Sequence, residues 1–286
     1  MITRLAWVTA MSVRGHDPDE PWGPPALRAA GVEVSVVDWD DPSVDWASFD
    51  RVLPRSTWDY PERIEEFLAW VDRVDAVTDL RNPPDLMRWS MDKNYLLDLE
   101  RAGVPITPTA VVEVGEEPRF PDGPFVVKPA IGAGSRDAAS YQAHETELAA
   151  VHIARLHARG ASMLVQPMLE SVAVDGEWPL LFFNGEFSHS ASKRVSLAAA
   201  TSISGIYAEE TNAPHVASAA QIEVGVAAVA EATARFGVPL YGRIDVVRDD
   251  SGGYCVLEVE LVEPSLFLLE GGPDAIDRMV AAFSAD

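Results

Sequence analysis

The sequence predicts an α/β lobe followed by an α+β half. Three observations carry this: strand and helix alternate over the first ninety residues, the texture turns mostly extended after Gly103, and two hairpins appear late in the chain. Residues 4–9 and 32–39 are apolar runs that suit buried strands. Between them, residues 24–30 form a helix stopped at Gly31, where a left-handed cap is cheap. Residues 51–54 make a short third strand. Over 61–74, Ile64, Phe67, Leu68 and Val71 fall on one helical face, and Pro61 suits the first turn. This strand–helix–strand order predicts a small parallel sheet.

A helix over 90–102, ending at Gly103, leads into extended segments at 104–114 and 124–129. Residues 145–158 are helical and 162–169 a strand. The span 178–193 is a hairpin with Asn184-Gly185 at its turn, a pair that accepts the positive φ of a tight turn. An alanine-rich helix covers 217–236, a second hairpin joins 240–247 to 254–261 around residues 249–253, and a helix over 274–283 follows. The expected divisions are 1–88, 89–170 and 171–286.

Composition narrows the function classes. The net charge of −23 repels a phosphate backbone and excludes nucleic acid as an expected partner. It also means that any nucleotide site needs local cations or metal ions. No apolar run reaches the roughly 18–20 residues that span a bilayer. The opening residues lack a signal-peptide pattern, and the single cysteine, Cys255, permits no intrachain disulfide. The cytoplasm is the expected compartment.

Four segments carry candidate chemistry. Strand residues 125–129 deliver Lys128 into the small-residue loop Ala130–Ser135, where glycines let backbone N–H groups approach phosphate oxygens. Arg243 and Asp245, two apart on a strand, share a face, as do Glu258 and Glu260. If the two strands pair, three carboxylates and an arginine meet, and a hard cation such as magnesium relieves their repulsion. The opposite face, with Ile244, Val246, Leu257, Val259 and Leu261, suits a core. His189, Ala191 and Lys193 share a strand face that fits either a phosphate-facing cationic surface or a solvated strand end. The glycine loop equally fits a surface turn, and the acidic strands an exposed charged sheet. No Gly-Lys-Ser/Thr follows the glycine loop, its spacing is wrong for a dinucleotide fingerprint, and scattered histidines with one cysteine do not make a zinc site.

The order of these segments resembles the ATP-grasp superfamily over roughly residues 85–270, and within it the glutathione-synthetase-like group. Residues 55–60 (Arg-Ser-Thr-Trp-Asp-Tyr) and 262–267 (Val-Glu-Pro-Ser-Leu-Phe) are also similar to the cyclo-ligases of cycloserine biosynthesis, which close O-ureido-D-serine into D-cycloserine. The resemblance implies an ATP-grasp fold with an N-terminal parallel-sheet lobe, a small central lobe and a C-terminal lobe. It implies an ADP-forming ligase that uses ATP and Mg2+, with Mn2+ as a substitute, on a small amino-acid-like carboxylate. The acyl phosphate formed would be taken by a nitrogen nucleophile, within the same molecule or, in a dipeptide-type or amide-forming enzyme, from a second one. A nucleotide-binding protein without catalysis is the remaining alternative.

By position, the resemblance assigns Lys93 and Lys128 to ATP, with Gly132, Gly134 and Ser135 as a flap over the phosphates. Gln166, Pro167, Met168 and Leu169 would be the hinge against adenine, and Glu177 would meet the ribose. Arg243 and Lys193 would be catalytic, and Asp245, Glu258 and Glu260 would hold the metal. Arg55, Trp58, Asp59, Glu263 and Ser265 would face the substrate, Arg55 toward its carboxylate and Asp59 or Glu263 toward an ammonium. Two departures stand out: Glu260 occupies a place where many relatives carry Asn, and Trp178 one where some carry a basic residue. Dimers are common in the superfamily, so the resemblance allows a homodimer, while the residues themselves do not fix the assembly.

Overall fold

The computed structural model describes residues 2–132, 134, 136–195 and 210–285. The first lobe is a parallel sheet in the order β2-β1-β3-β4, from β1 (Arg4–Thr9), β2 (Glu33–Asp38), β3 (Arg51–Ser56) and β4 (Asp79–Leu80). The helices α1 (Gly23–Ala29) and α2 (Ile64–Asp75) supply the crossovers. Pro61 lies in a separate 3-10 turn, Tyr60–Glu62, so α2 begins three residues later than its apolar face predicts. Phe67, Trp70 and Val71 on α2 bury against Trp39, Trp46 and Tyr60, which makes this core largely aromatic.

The expected helix over 90–102 is two helices, α3 (Pro84–Met91) and α4 (Tyr95–Arg101). The break has a local cause. Asp92 Oδ1 accepts from the Asn94 N–H at 3.0 Å, a turn that competes with helix, while the Lys93 N–H donates to Ala130 O at 2.9 Å. Lys93 is thereby tied to the loop that follows Lys128.

The central lobe is an antiparallel sheet, order β5-β8-β6-β7, from β5 (Ala110–Val112), β6 (Phe125–Pro129), β7 (Ala139–Tyr141) and β8 (Met163–Pro167), with α5 (Thr146–His157) packed on one face. A short helix, α6 (Glu170–Asp175), leads to the third sheet. That sheet is antiparallel, order β11-β10-β9-β12-β13: β9 (Trp178–Phe183), β10 (Glu186–Val195), β11 (Glu210–His215), β12 (Tyr241–Arg248) and β13 (Tyr254–Glu260). Both predicted hairpins are present, β9/β10 and β12/β13. The helix α7 (Ala219–Phe236) opens with a reciprocal capping box between Ser218 and Gln221 and packs on β12 and β13. The last helix, α8 (Leu268–Ser284), starts six residues earlier than predicted and is interrupted at Gly272, which has φ 69°. No helix among the described residues is long and apolar enough to cross a membrane.

The first lobe is fastened to the third sheet by buried polar contacts. The Asn82 amide donates to Tyr241 O at 2.9 Å and Leu261 O at 2.7 Å, and its oxygen accepts from the Leu240 N–H at 2.7 Å. Three of the four hydrogen-bonding positions of one amide are thus spent across the junction. The outcome is a fixed wall of first-lobe residues facing the third sheet.

Candidate active site

Strands β12 and β13 pair with Arg243 opposite Glu260 and Asp245 opposite Glu258. Carboxylate oxygens of Asp245, Glu258 and Glu260 lie within 4.8 Å of one another. The register then slips, so that Val246 faces Val256 and Leu257 is the extra residue of a bulge. Leu257 therefore lines the cleft instead of sitting with Val259 and Leu261 in the core.

Cations hold these carboxylates apart. Arg243 grips Asp245 with two hydrogen bonds, Nε to Oδ1 at 2.8 Å and Nη2 to Oδ2 at 3.0 Å, and also bonds Glu260. Lys193, on β10, donates to Asp245 Oδ2 at 2.9 Å and pairs with Glu177 at 2.8 Å. Lys193 and Glu177 are also bridged through their backbones, N–H to O at 2.8 Å in both directions. Gly176, at φ 80°, permits this approach, since a Cβ there would lie 2.5 Å from Lys193 O. Lys93 reaches Glu258 Oε1 at 3.0 Å and Gly132 O at 2.8 Å.

The titration of the cluster follows from this pairing. Burial pushes Asp245 up, but Arg243 and Lys193 hold it below the usual carboxylate range. Burial opposes the charge of Glu258 too, yet Lys93, Lys128 and Lys193 bring it down to about 2. Glu260 is pushed up to about 7 by burial and by Glu258 and Asp245, more than Arg243 offsets. Desolvation lowers Lys128, whose ammonium makes no hydrogen bond or ion pair among the described residues and feels Glu258 only at longer range.

The resulting cleft, about 490 Å3 in volume, runs between the central lobe and the third sheet and is closed at one end by the first lobe. Lys93, Lys128, Gly132, Gly134, Gln166, Pro167, Met168, Leu169, Glu177, Lys193, Arg243, Glu258 and Glu260 all line it. Asp245 lies immediately behind, wholly buried beneath Arg243 and Lys193. Ser135 lies outside the described residues. The buried Gln166 amide donates to Thr109 Oγ1 at 2.8 Å, which fixes the start of the 166–169 segment.

An unpaired lysine in such a cleft predicts a specific loss. Lys128→Ala should weaken ATP at least tenfold while leaving adenosine nearly unchanged, because the lost term is a charge–phosphate contact. Calorimetric titration of both ligands reads it, and equal weakening of both would reject the phosphate role.

The expected substrate residues divide. Trp58, Glu263 and Ser265 line the cleft. Arg55 does not: it is 1% exposed, stacked over the rings of Trp7 and Tyr241 and bonded to Pro264 O. It braces the 263–267 loop from behind, so the expected contact with a substrate carboxylate is corrected. Asp59 is also turned away, accepting from Trp39 Nε1 at 2.9 Å and Ser12 Oγ at 3.0 Å. His189 is buried with Nε2 2.7 Å from Leu266 O and takes no part in the cleft.

Two further lining residues, Tyr60 and Arg136, close segments that the resemblance marked, whereas Asp19 had no sequence signal. Tyr60, the last residue of the 55–60 segment, is buried and stacked on Phe67 at 5.1 Å, so it serves the first-lobe core as well as the cleft wall. Arg136 follows the flap glycines and meets Glu62 of the first lobe, a pair 74 residues apart in sequence. Asp19 accepts from the Leu268 N–H at 3.0 Å and also from the Leu266 N–H. Burial and neighbouring Asp17 push its carboxyl up to about 6.

Lysines from two lobes facing an Arg-x-Asp strand and a Glu-x-Glu strand across a flap-covered cleft define an ATP-grasp ligase, an ADP-forming carbon–nitrogen ligase. The same fold occurs in D-alanine–D-alanine ligase from Bacillus anthracis, with a TM-score of 0.67 at 14% identity over 99% of this chain and 97% of that one. Sequence narrows the class. The chain is 40% identical over 277 residues to the cycloserine biosynthesis protein DcsG of Streptomyces lavendulae, covering 92% of each. The crystal structure of D-cycloserine synthetase DcsG superposes with a TM-score of 0.85 at 37% identity, over 98% of both chains. Residues 5–82 match the family described as the N-terminal domain of D-cycloserine synthetase DcsG. This chain belongs to the DcsG family.

Proposed function

We propose that this chain uses ATP to activate the carboxylate of O-ureido-D-serine and closes it onto its own nitrogen, giving the D-cycloserine ring. The observation that carries the reading is the balanced cluster in the cleft: four cations (Lys93, Lys128, Lys193, Arg243) against four carboxylates (Glu177, Asp245, Glu258, Glu260). Such a set can exchange partners. Phosphate oxygens can take the cations, and a divalent cation the carboxylates, so that each buried charge exchanges one opposite partner for another.

In this reading Lys93 and Lys128 hold the phosphates, and Arg243 and Lys193 stabilise charge on the transferred phosphoryl group. Gly132 and Gly134 close over it, and residues 166–169 bind adenine, with Glu177 toward the ribose. The three clustered carboxylates suit an oxygen-ligated ion, so Asp245, Glu258 and Glu260 would hold Mg2+, or Mn2+ in its place. When bound, that ion would neutralise phosphate charge. Positioning and charge stabilisation then supply most of the rate. Excluding water from the closed cleft protects the acyl phosphate.

Trp58, Glu263 and Ser265 form the substrate end of the lining, with Arg243 beside it over the Phe267 ring at 5.5 Å. That suits a zwitterion whose carboxylate is directed to the Arg243 side. The lobes are assigned as 1–88, 89–170 and 171–286, following the three sheets. A cytoplasmic homodimer is the proposed setting.

The decisive assay incubates the protein with ATP, Mg2+ and O-ureido-D-serine, alone and with mixed amino acids. ADP and ring product should form with the single substrate, stop in EDTA and return with Mg2+. Product that needs a second amine would indicate a dipeptide- or amide-forming ligase. ADP release unaffected by EDTA would remove the metal role, and nucleotide binding without any ADP would leave a binding protein.

A further inference from the structure

Ring closure needs more than an activated carboxylate. In the proposed substrate, the attacking nitrogen lies between a carbonyl and an oxygen. Its lone pair is delocalised, and it must lose its only hydrogen as the ring forms. A proton acceptor at the substrate end of the cleft is therefore required.

The cleft is lined by seven carboxylates, and six are otherwise engaged or misplaced. Glu177, Glu258 and Glu260 are paired with Lys193, Lys93 and Arg243. Asp19 spends both oxygens on the backbone N–H groups of Leu266 and Leu268. Glu210 is exposed at the start of β11, and Glu270 sits half-exposed in the first turn of α8. Glu263 alone is both buried, at 8% exposure, and without a side-chain hydrogen bond or ion pair among the described residues. A buried carboxyl left unpaired costs stability, which a site under functional demand tolerates.

Its setting is also rigid. Trp58 Nε1 donates to Glu263 O at 3.2 Å, Arg55 bonds the next carbonyl, that of Pro264, and Asp19 anchors residues 266 and 268. The loop is thus held on three sides while the carboxyl itself stays free in the cleft. Tyr60, Tyr241, Glu260, Lys93, Arg55 and Arg243 are the titratable and charged groups around it among the described residues.

We propose that Glu263 is the catalytic base that takes the proton from the attacking nitrogen. The assignment rests on the ring-closing reading above. In the step, the nitrogen–carbon bond forms, the carbon–oxygen bond to phosphate breaks, inorganic phosphate leaves with the electron pair, and the N–H proton passes to the Glu263 carboxylate; the ring nitrogen keeps its carbamoyl group here, and water then removes that group as carbon dioxide and ammonia to leave the ring N–H. Burial, then Glu260, push this carboxyl up to about 8, which makes it a stronger proton acceptor than an ordinary carboxylate while part of it stays ionised near neutral pH.

The test separates the two chemical halves of the reaction. Wild-type protein, Glu263→Gln and Glu263→Asp are incubated with ATP, Mg2+ and O-ureido-D-serine, and ADP and ring product are measured, with hydroxylamine added in parallel to trap acyl phosphate as the hydroxamate. In Glu263→Gln, ring product should fall about 100-fold or more. ADP release should fall far less, so that ADP outruns product and hydroxamate accumulates. Glu263→Asp, which restores a carboxylate, should recover part of the coupling. Glu263→Gln should unfold no earlier than wild type on heating, because it removes a buried unpaired acid. Equal loss of ADP and product, with their ratio unchanged and no hydroxamate, would overturn the assignment and place Glu263 in substrate binding. Absence of ring product from the wild-type protein rejects ring closure itself; the same ratio, read with the external amine the wild-type protein then accepts, still decides whether Glu263 is the base.

Discussion

Arg243→Leu should nearly abolish ADP formation and also destabilise the fold. Two carboxylates depend on this one guanidinium. Asp245 is wholly buried and bonded to it through both oxygens, and Glu260 has it as its cationic partner. Removing one member of a buried ion pair leaves an uncompensated charge and costs about 3–5 kcal/mol. Lys193 remains on Asp245, so the lower end of that range is expected. Turnover should drop by about 1000-fold, the upper range for losing one preorganised donor to developing charge. Urea unfolding with an unchanged slope reads the first effect and coupled ADP release the second. The stability deficit should shrink as pH falls, because protonating Asp245 and Glu260 removes the unpaired charge. Arg243→Lys should keep most of the stability but little of the activity, since an ammonium cannot reproduce the two-bond grip. A fully stable Arg243→Leu would contradict the ion-pair account.

What the sequence made legible divides along a physical line. Period-two placement put Arg243 and Asp245 on one face and Glu258 and Glu260 on one face, and both faces meet as expected. The Asn184-Gly185 turn and the β12/β13 hairpin were equally readable, because turn chemistry and strand alternation are local. Features set by distant partners were not readable. The helix break that presents Lys93 depends on Ala130, and the burial of Arg55 depends on Trp7, Tyr241 and Pro264. Strict alternation placed Leu257 in the core, and one bulge moved it to the cleft wall. The strands β4 and β7 carry too few residues for any period to register, and β11, as long as β1, is exposed and has no apolar alternation to read. Tyr60 shows the same limit from the other side, since its ring belongs to the first-lobe core while the residue also lines the cleft.

Glu258→Gln isolates the metal from the nucleotide. Glu258 is held near 2 by three lysines, so it is ionised at every working pH, and the substitution removes one full negative charge with little change in volume. Its side chain is 24% exposed, so the fold should lose little. Lys93 loses an ion pair at 3.0 Å but keeps Gly132 O at 2.8 Å, so its position should survive. The consequence falls on charge balance: four cations then face three carboxylates. Nucleotide alone, an anion, should bind no more weakly than to the wild-type protein, and on sign alone more tightly. Catalysis should suffer in the opposite sense. Turnover should fall about 100-fold or more, and the Mg2+ concentration for half-maximal rate should rise about tenfold, as one of three oxygen ligands changes from a carboxylate to a neutral amide. Titrating Mg2+ against ADP release, beside calorimetry of ATP in EDTA, measures both arms. Weaker metal-free ATP binding together with an unchanged Mg2+ requirement would mean that Glu258 serves to orient Lys93 and that the ion is held elsewhere.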